Sequence, residues 1–286
     1  GHGRVLSASV TRDIASLADI AGGYDAIVLD QWGVLHDGTT PYPGAVAALE
    51  TLRARGHRLA VLSNSGKRAA PNAARITDMG FAEGMFEIVM TSGEALWRDL
   101  RDGRVVERRF FPIERAPGDA AAWAEGLNIV LGDLDSAEAV LLMGLPDGSA
   151  LPDWAETMHA AQAHGLPVYC SNPDRHSPRA GGLVVSPGAL AFDYADRGGR
   201  VRFYGKPHVP VFEALERHLK AQRILMVGDS LEHDIAGAQA AGWDSVLVRG
   251  GLYAQRFAAG PVTDVLDQLV AAHGCARPTF TMGQLQ

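Results

Sequence analysis

Ile27-Val28-Leu29-Asp30-Gln31-Trp32-Gly33-Val34-Leu35 is the stretch on which the reading of this chain turns. A short apolar run of strand length delivers a carboxylate into a glycine turn, which places Asp30 to act as a nucleophile. A strand-end aspartate taken alone is more often the cap of a turn. Its company reverses those odds. Far downstream, Gly205-Lys206-Pro207 and Gly228-Asp229-Ser230-Leu231-Glu232-His233-Asp234 each stand at the edge of an apolar run. Together the three segments point to a metal-assisted phosphoryl-transfer site.

Working outward, apolar runs rich in branched residues recur at 26–29, 59–62, 88–90, 224–227 and 246–248, as expected of buried parallel strands. Helical patterns lie between them. Val46, Leu49 and Leu52 make one apolar stripe before Gly56, and Val211, Phe212, Leu215 and Leu219 make another. Such alternation predicts an open α/β sheet with right-handed crossovers, and in such sheets ligands bind beyond the carboxyl ends of the strands. Asp30, Ser63 and Asp229 all fall there. The middle of the chain starts again: a loop-like stretch at 112–118 precedes strand-like runs at 129–131, 140–143 and 168–170, with a helical pattern through Trp154, Met158 and Ala161. The predicted organisation is a core of residues 1–103 and 201–286 with a second α/β domain, 104–200, inserted into it.

Each site residue has a chemical reason. Attack by Asp30 on phosphorus would form an acyl phosphate that water later hydrolyses. Ser63 and Asn64, in Ser63-Asn64-Ser65-Gly66, offer a hydroxyl and backbone N–H groups to phosphate oxygens, although the same residues are ordinary turn formers. Lys206 would neutralise charge on the nucleophile and the transferred group. Asp229 at a strand tip and Asp234, expected to open the next helix at Ile235, supply hard oxygen ligands that suit Mg2+. His208 and His233 are expected to face solvent, and no histidine cluster suggests zinc.

Composition narrows the function. With 26 Lys and Arg against 33 Asp and Glu, a formal net charge of −7 and no basic run, nothing predicts a nucleic-acid surface. Cys170 and Cys275 are far apart and lack metal-ligand spacing, so no disulfide framework is expected. No apolar run approaches the roughly 20 residues of a membrane span. The expectation is a cytoplasmic protein acting on a small phosphorylated metabolite, with no nucleic-acid or membrane partner and with room for a homo-oligomer. The opening Gly1-His2-Gly3 reads as an appended remnant rather than part of the fold.

Four ordered motifs, Asp30 to Gly38, Ser63-Asn64, Gly205-Lys206-Pro207 and Gly228 to Asp234, resemble the haloacid dehalogenase (HAD) superfamily, and specifically its class IIA, NagD-like branch. Asn172-Pro173-Asp174 also looks like a segment of that branch. The resemblance implies a Rossmann-like parallel-sheet core with an inserted, mobile α/β cap domain of C2 type. It implies Asp30 as nucleophile and Mg2+ ligand, Ser63 on phosphate, Lys206 for charge, and Asp229 on the metal with Asp234 in support. The backbone carbonyl of Trp32 would be a further metal ligand, and Asn172 and Asp174 weaker candidates for substrate contact from the cap. The chain departs from the family at Trp32, where phosphatases of the superfamily place a second aspartate to protonate the leaving group and later activate water. An indole does neither, and losing a positioned acid/base typically forfeits about 10²- to 10⁴-fold in rate. His36 and Asp37 stand nearby in sequence as replacements. Two other readings remain open: cleavage of a carbon–phosphorus or carbon–halogen bond, and a catalytically weak protein that binds a phosphate ligand.

Overall fold

The computed structural model describes residues 10–286, so Gly1-His2-Gly3 lie outside the described residues. Its strands, in chain order, are β1 (Arg12–Asp13), β2 (Ala26–Leu29), β3 (Arg58–Ser63), β4 (Ile88–Thr91), β5 (Arg109–Ile113), β6 (Val130–Leu131), β7 (Ala139–Leu142), β8 (Val168–Cys170), β9 (His176–Arg179), β10 (Gly182–Val185), β11 (Val201–Phe203), β12 (Ile224–Gly228), β13 (Asp244–Val248) and β14 (Phe280–Met282). The chain divides into two compact units. The first holds the residues up to Ser63 together with Ala70–Met90 and Leu215–Gln286; the second holds Asn64–Ala69 and Thr91–Ala214, inserted into the first.

The first unit carries a seven-stranded sheet in the order β1-β14-β13-β12-β2-β3-β4. Every residue of β2 and of β12 is buried, which is why both read as unbroken apolar runs rather than as alternation. Ile27, Leu29, Val61, Leu225, Val227 and Val246 pack one continuous core. The strand order reverses between β2 and β12. From β2 the chain winds outward through β3 and β4, and from β12 it winds the other way through β13 and β14. That reversal opens a crevice at the carboxyl edge, the switch point of a doubly wound sheet. Among the described residues, no helix is long and apolar enough to cross a membrane.

The second unit has a five-stranded sheet in the order β11-β8-β7-β5-β6 and a separate antiparallel pair, β9 with β10. Its strand pairs in the larger sheet are parallel, and Val140, Leu142, Val168 and Leu190 belong to its own core. The strand β5 corrects the expectation of a loop from Pro112, since it runs to Ile113. The Phe110 carbonyl accepts from Gly132 N–H on the β6 side. Pro112 points its backbone the same way, but β6 has ended at Leu131, so the missing N–H forfeits no ladder bond.

Candidate active site

Three adjacent strands deliver the acidic and hydroxyl groups. Asp30 follows β2 and its N–H donates to Val227 O on β12 at 3.0 Å; Asp229 follows β12; Ser63 ends β3. Carboxylate oxygens of Asp30, Asp229 and Asp234 all lie within 4.8 Å of one another. Asp234 is fully buried, and its Oδ2 accepts the N–H groups of Asp229 at 3.0 Å and Ser230 at 3.2 Å. The sequence placed Asp234 at the opening of a helix. In the structure it sits inside a π-helical turn, Leu231–Ile235, whose cap is Ser230, with Ser230 Oγ accepting the His233 N–H at 3.1 Å. The wider turn, common at functional sites, brings the Asp234 carboxylate back under the strand tip instead of leaving it at the helix end.

Glycines make this proximity achievable. A Cβ on Gly33, whose φ is +80°, would stand 1.9 Å from Asp229 Oδ2; one on Gly228 would stand 2.2 Å from Asp234 Cγ; one on Gly251 would stand 2.5 Å from Asp229 Cβ. Only a residue without a side chain fits at each. Sequence reasoning did not find Gly251 or its neighbour Leu252, whose N–H donates to Asp229 Oδ2 at 2.9 Å. The available signal was the double glycine, Gly250-Gly251, just beyond an apolar run.

The turn after Asp30 is held by its own polar groups. The Gly38 N–H donates to His36 Nδ1 at 3.0 Å, which leaves the proton on Nε2, 3.3 Å from Gln31 Oε1. His36 is fully buried, and burial, followed by the nearby Arg75 charge, pushes its pKa down to about 4. Asp37 Oδ1 accepts from Thr40 N–H, Thr39 N–H and the Thr39 hydroxyl, and these bonds hold its carboxyl below the ordinary range. Neither residue is free to protonate a leaving group: the one is a neutral ring with both nitrogens engaged, the other a carboxylate with no proton to give. The Trp32 indole lies over Gly38, where an added Cβ would meet Cη2 at 2.5 Å, and it stands edge-on to His36 with ring centroids 6.1 Å apart.

In the second unit, Asn64 gathers three of the remaining candidates. Its Oδ1 accepts the Lys206 N–H at 2.7 Å, and its Nδ2 donates to Lys206 O at 3.2 Å and to Asp174 Oδ1 at 3.1 Å. Asn172 Oδ1 accepts the Asp174 N–H at 3.1 Å, an Asx turn that orients Asp174 toward Asn64. Lys206 is buried. A Cβ on Gly205 would meet Pro173 at 2.4 Å, so Gly205 and Pro173 fix the approach of the lysine segment to the Asn172-Pro173-Asp174 turn. His208, expected in solvent, instead stacks on Phe203 with centroids 4.5 Å apart.

A doubly wound core with carboxylates at its switch point and a second α/β unit inserted in the chain is the architecture of a class with many known members. The sequence profile of haloacid dehalogenase-like hydrolases matches residues 27–115, and that of HAD-hydrolase-like proteins matches residues 203–272. D-glycerol 3-phosphate phosphatase of Mycobacterium tuberculosis is 30% identical over 82% of this chain, and the match spans 66% of that enzyme's length. Bovine chronophin is 27% identical, with 83% of this chain and 85% of chronophin covered. A haloacid dehalogenase-like hydrolase from Brucella suis superposes with a TM-score of 0.78 at 29% identity, over 96% of this chain and all of its own. The glycerol phosphate phosphatase of M. tuberculosis solved in complex with magnesium gives 0.71 at 26% identity, over 93% and 76% of the two chains. The chain belongs to the haloacid dehalogenase-like hydrolases, in their class IIA branch, with a Rossmann-like core and an inserted α/β cap domain.

Proposed function

We propose that the chain is a magnesium-dependent phosphatase that hydrolyses a small phosphorylated metabolite through an aspartyl phosphate on Asp30. The observation that carries this reading is the convergence of Asp30, Asp229 and Asp234 at the switch point. The donor set fits a hard divalent cation: carboxylates, at least one fully buried, in a cradle that a Gly33 side chain would fill. Asp30, Asp229, Asp234 and the Trp32 carbonyl would hold it. When bound, magnesium would withdraw charge from the phosphoryl oxygens.

The chain's own residues divide the rest. Asp30 attacks phosphorus. The Ser63 hydroxyl and the Asn64 segment receive phosphate oxygens, and Lys206 balances their charge, its backbone fixed by Asn64 and, through Asn64, by Asp174. Asn172 acts by shaping that turn. Residues 104–200 form the segment through which substrate is selected. Neither His36 nor Asp37 takes the place of an acid/base at Trp32, so the first displacement is expected to be slow unless the leaving group departs without a proton, and hydrolysis of the acyl phosphate is expected to be slow for want of a group to activate water.

The test is Asp30→Asn, which preserves shape but removes the nucleophile. Phosphate release from a panel of sugar, nucleotide and cofactor phosphates should vanish with the fold intact, while acid quenching of the unmodified protein should trap an acyl phosphate. Activity equal to that of the unmodified protein would remove the nucleophile assignment, and absence of phosphate release from both proteins would favour the weak binder.

A further inference from the structure

The strand β1 is only two residues long and ends at Asp13, and a notch opens there at the carboxyl ends of β1, β14 and β13. It is a cavity of about 330 Å³; Asp13, Arg249, Gly283 and Gln284 are among its lining residues, and none of Asp30, Asp229 and Asp234 lines it. That volume falls at the small end of the roughly 300–1,000 Å³ usual for ligand pockets.

Strand register explains how its charged groups meet. Asp13 stands opposite Thr281 on β14, and Val248, the last residue of β13, stands opposite Met282. Arg249 follows, and its side chain reaches back across β14, where Nη1 donates to Thr281 Oγ1 at 3.2 Å and to Asp13 Oδ1 at 2.9 Å. The Thr281 hydroxyl in turn donates to Leu247 O at 2.9 Å, while the Arg249 N–H donates to Met282 O and the Gly250 N–H to Gly283 O. The guanidinium is therefore fixed before a ligand arrives, which lowers the entropic cost of binding to it.

One edge of that guanidinium is unused. The Arg249 side chain is only 17% exposed, yet among the described residues its Nε and Nη2 have no hydrogen-bond partner. These two N–H groups make a planar fork that matches both oxygens of a carboxylate. A Cβ on Gly283 would stand 3.8 Å from Nη2, so the missing side chain leaves the approach open. Asp13 offers the opposite sign beside it: Oδ1 is taken by Arg249, Oδ2 has no partner among the described residues, and the side chain is 64% exposed. A simple anion brought to Arg249 would be repelled by Asp13, and a simple cation brought to Asp13 would be repelled by Arg249. A ligand with a carboxylate and an ammonium on one carbon satisfies both.

We propose that this notch binds a free α-amino acid, with its carboxylate on the Nε–Nη2 edge of Arg249, its ammonium on Asp13 Oδ2, and Gln284 lining the space left for its side chain. The site belongs to the first unit alone and does not depend on the phosphatase reading.

The experiment is calorimetric titration of the full chain with each of the protein amino acids, and with acetate and methylamine, which each carry one of the two charges. At least one amino acid should bind with a dissociation constant of about 1 mM or below, and acetate and methylamine should both bind at least about tenfold more weakly. Arg249→Lys keeps the charge but loses the fork, and Asp13→Asn keeps the shape but loses the charge. Each should weaken binding at least about tenfold, the scale of one charge-assisted hydrogen bond. Arg249 also ties strand ends together, so if circular dichroism shows that Arg249→Lys does not fold, Asp13→Asn, altered at an exposed side chain, carries the test. Failure of every amino acid to bind overturns the proposal, as does binding that Asp13→Asn leaves unchanged. Acetate bound as tightly as the amino acid would overturn it too, since the carboxylate alone would then account for recognition.

Discussion

Gly33 combines a positive φ with an approach to Asp229 that no side chain could share. Gly33→Ala therefore meets two penalties: left-handed backbone strain of about 1–2 kcal/mol, and displacement of the Asp229 carboxylate. Magnesium affinity should fall at least about tenfold by calorimetry through the second alone, because the strain is present with and without the ion and lowers stability rather than affinity. Binding like that of the unmodified protein would show that Asp229 is not held by this contact. His36 makes a different kind of prediction, because its folded pKa of about 4 lies below the unfolded value of 6.5. As pH falls below 6.5 the unfolded chain takes up a proton that the folded ring refuses, so stability is lost progressively until the folded ring also titrates near 4. The full loss amounts to about 3 kcal/mol, because each tenfold difference in proton affinity between the two states is worth roughly 1.4 kcal/mol. Urea midpoints between pH 7 and 4.5 should fall less steeply in His36→Gln, and an unchanged slope would assign the acid sensitivity to other groups.

At the scale of elements, the π-helical turn depends on Ser230, whose hydroxyl satisfies an N–H at its start. Ser230→Ala should cost about 1 kcal/mol in urea unfolding, as loss of a helix cap usually does. No change would mean that the two backbone bonds to Asp234 hold the turn alone. The central strands were legible in the sequence because burial on both faces writes a run of branched apolar residues, and β2, β3 and β12 need nothing else. The strand β14 was not, since Phe280-Thr281-Met282 carries a polar residue in its middle. Thr281 is buried there only because its hydroxyl donates to Leu247 O at 2.9 Å, a partner that sequence pattern does not reveal. The hairpin β9–β10 escaped for another reason: His176-Ser177-Pro178-Arg179 lacks alternation and is mostly solvent-facing. The meeting of Asp30 and Asp229 could be anticipated, because both end apolar strands and the carboxyl edge collects such residues. Asp234 could be placed nearby but not oriented, since a π-turn and an α-helix share one sequence pattern.

At the scale of the molecule, each unit has its own core, one containing Leu29, Val61 and Val227, the other Val140, Leu142 and Val168. The carboxylate trio belongs entirely to the first. Magnesium at a hundred times its dissociation constant should stabilise that unit by about 2.7 kcal/mol and leave the second unaffected. Calorimetric scans with and without the ion should show two transitions, of which one moves. Equal movement of both would mean that the units unfold together, and movement of neither would count against the metal site. The pairing of β2 with β12 has a consequence in time. Asp30 is made long before Asp229, and β2 has one of its neighbours only when the segment holding Val227 has followed. At roughly 5–20 residues per second, that interval lasts from about ten seconds to most of a minute. The second unit, drawn from residues no later than Ala214, is by then fully synthesised. The growing chain thus carries the whole insertion while Asp30 still waits for Asp229 and Asp234, so the carboxylate trio assembles only after the unit to which it does not belong has been made.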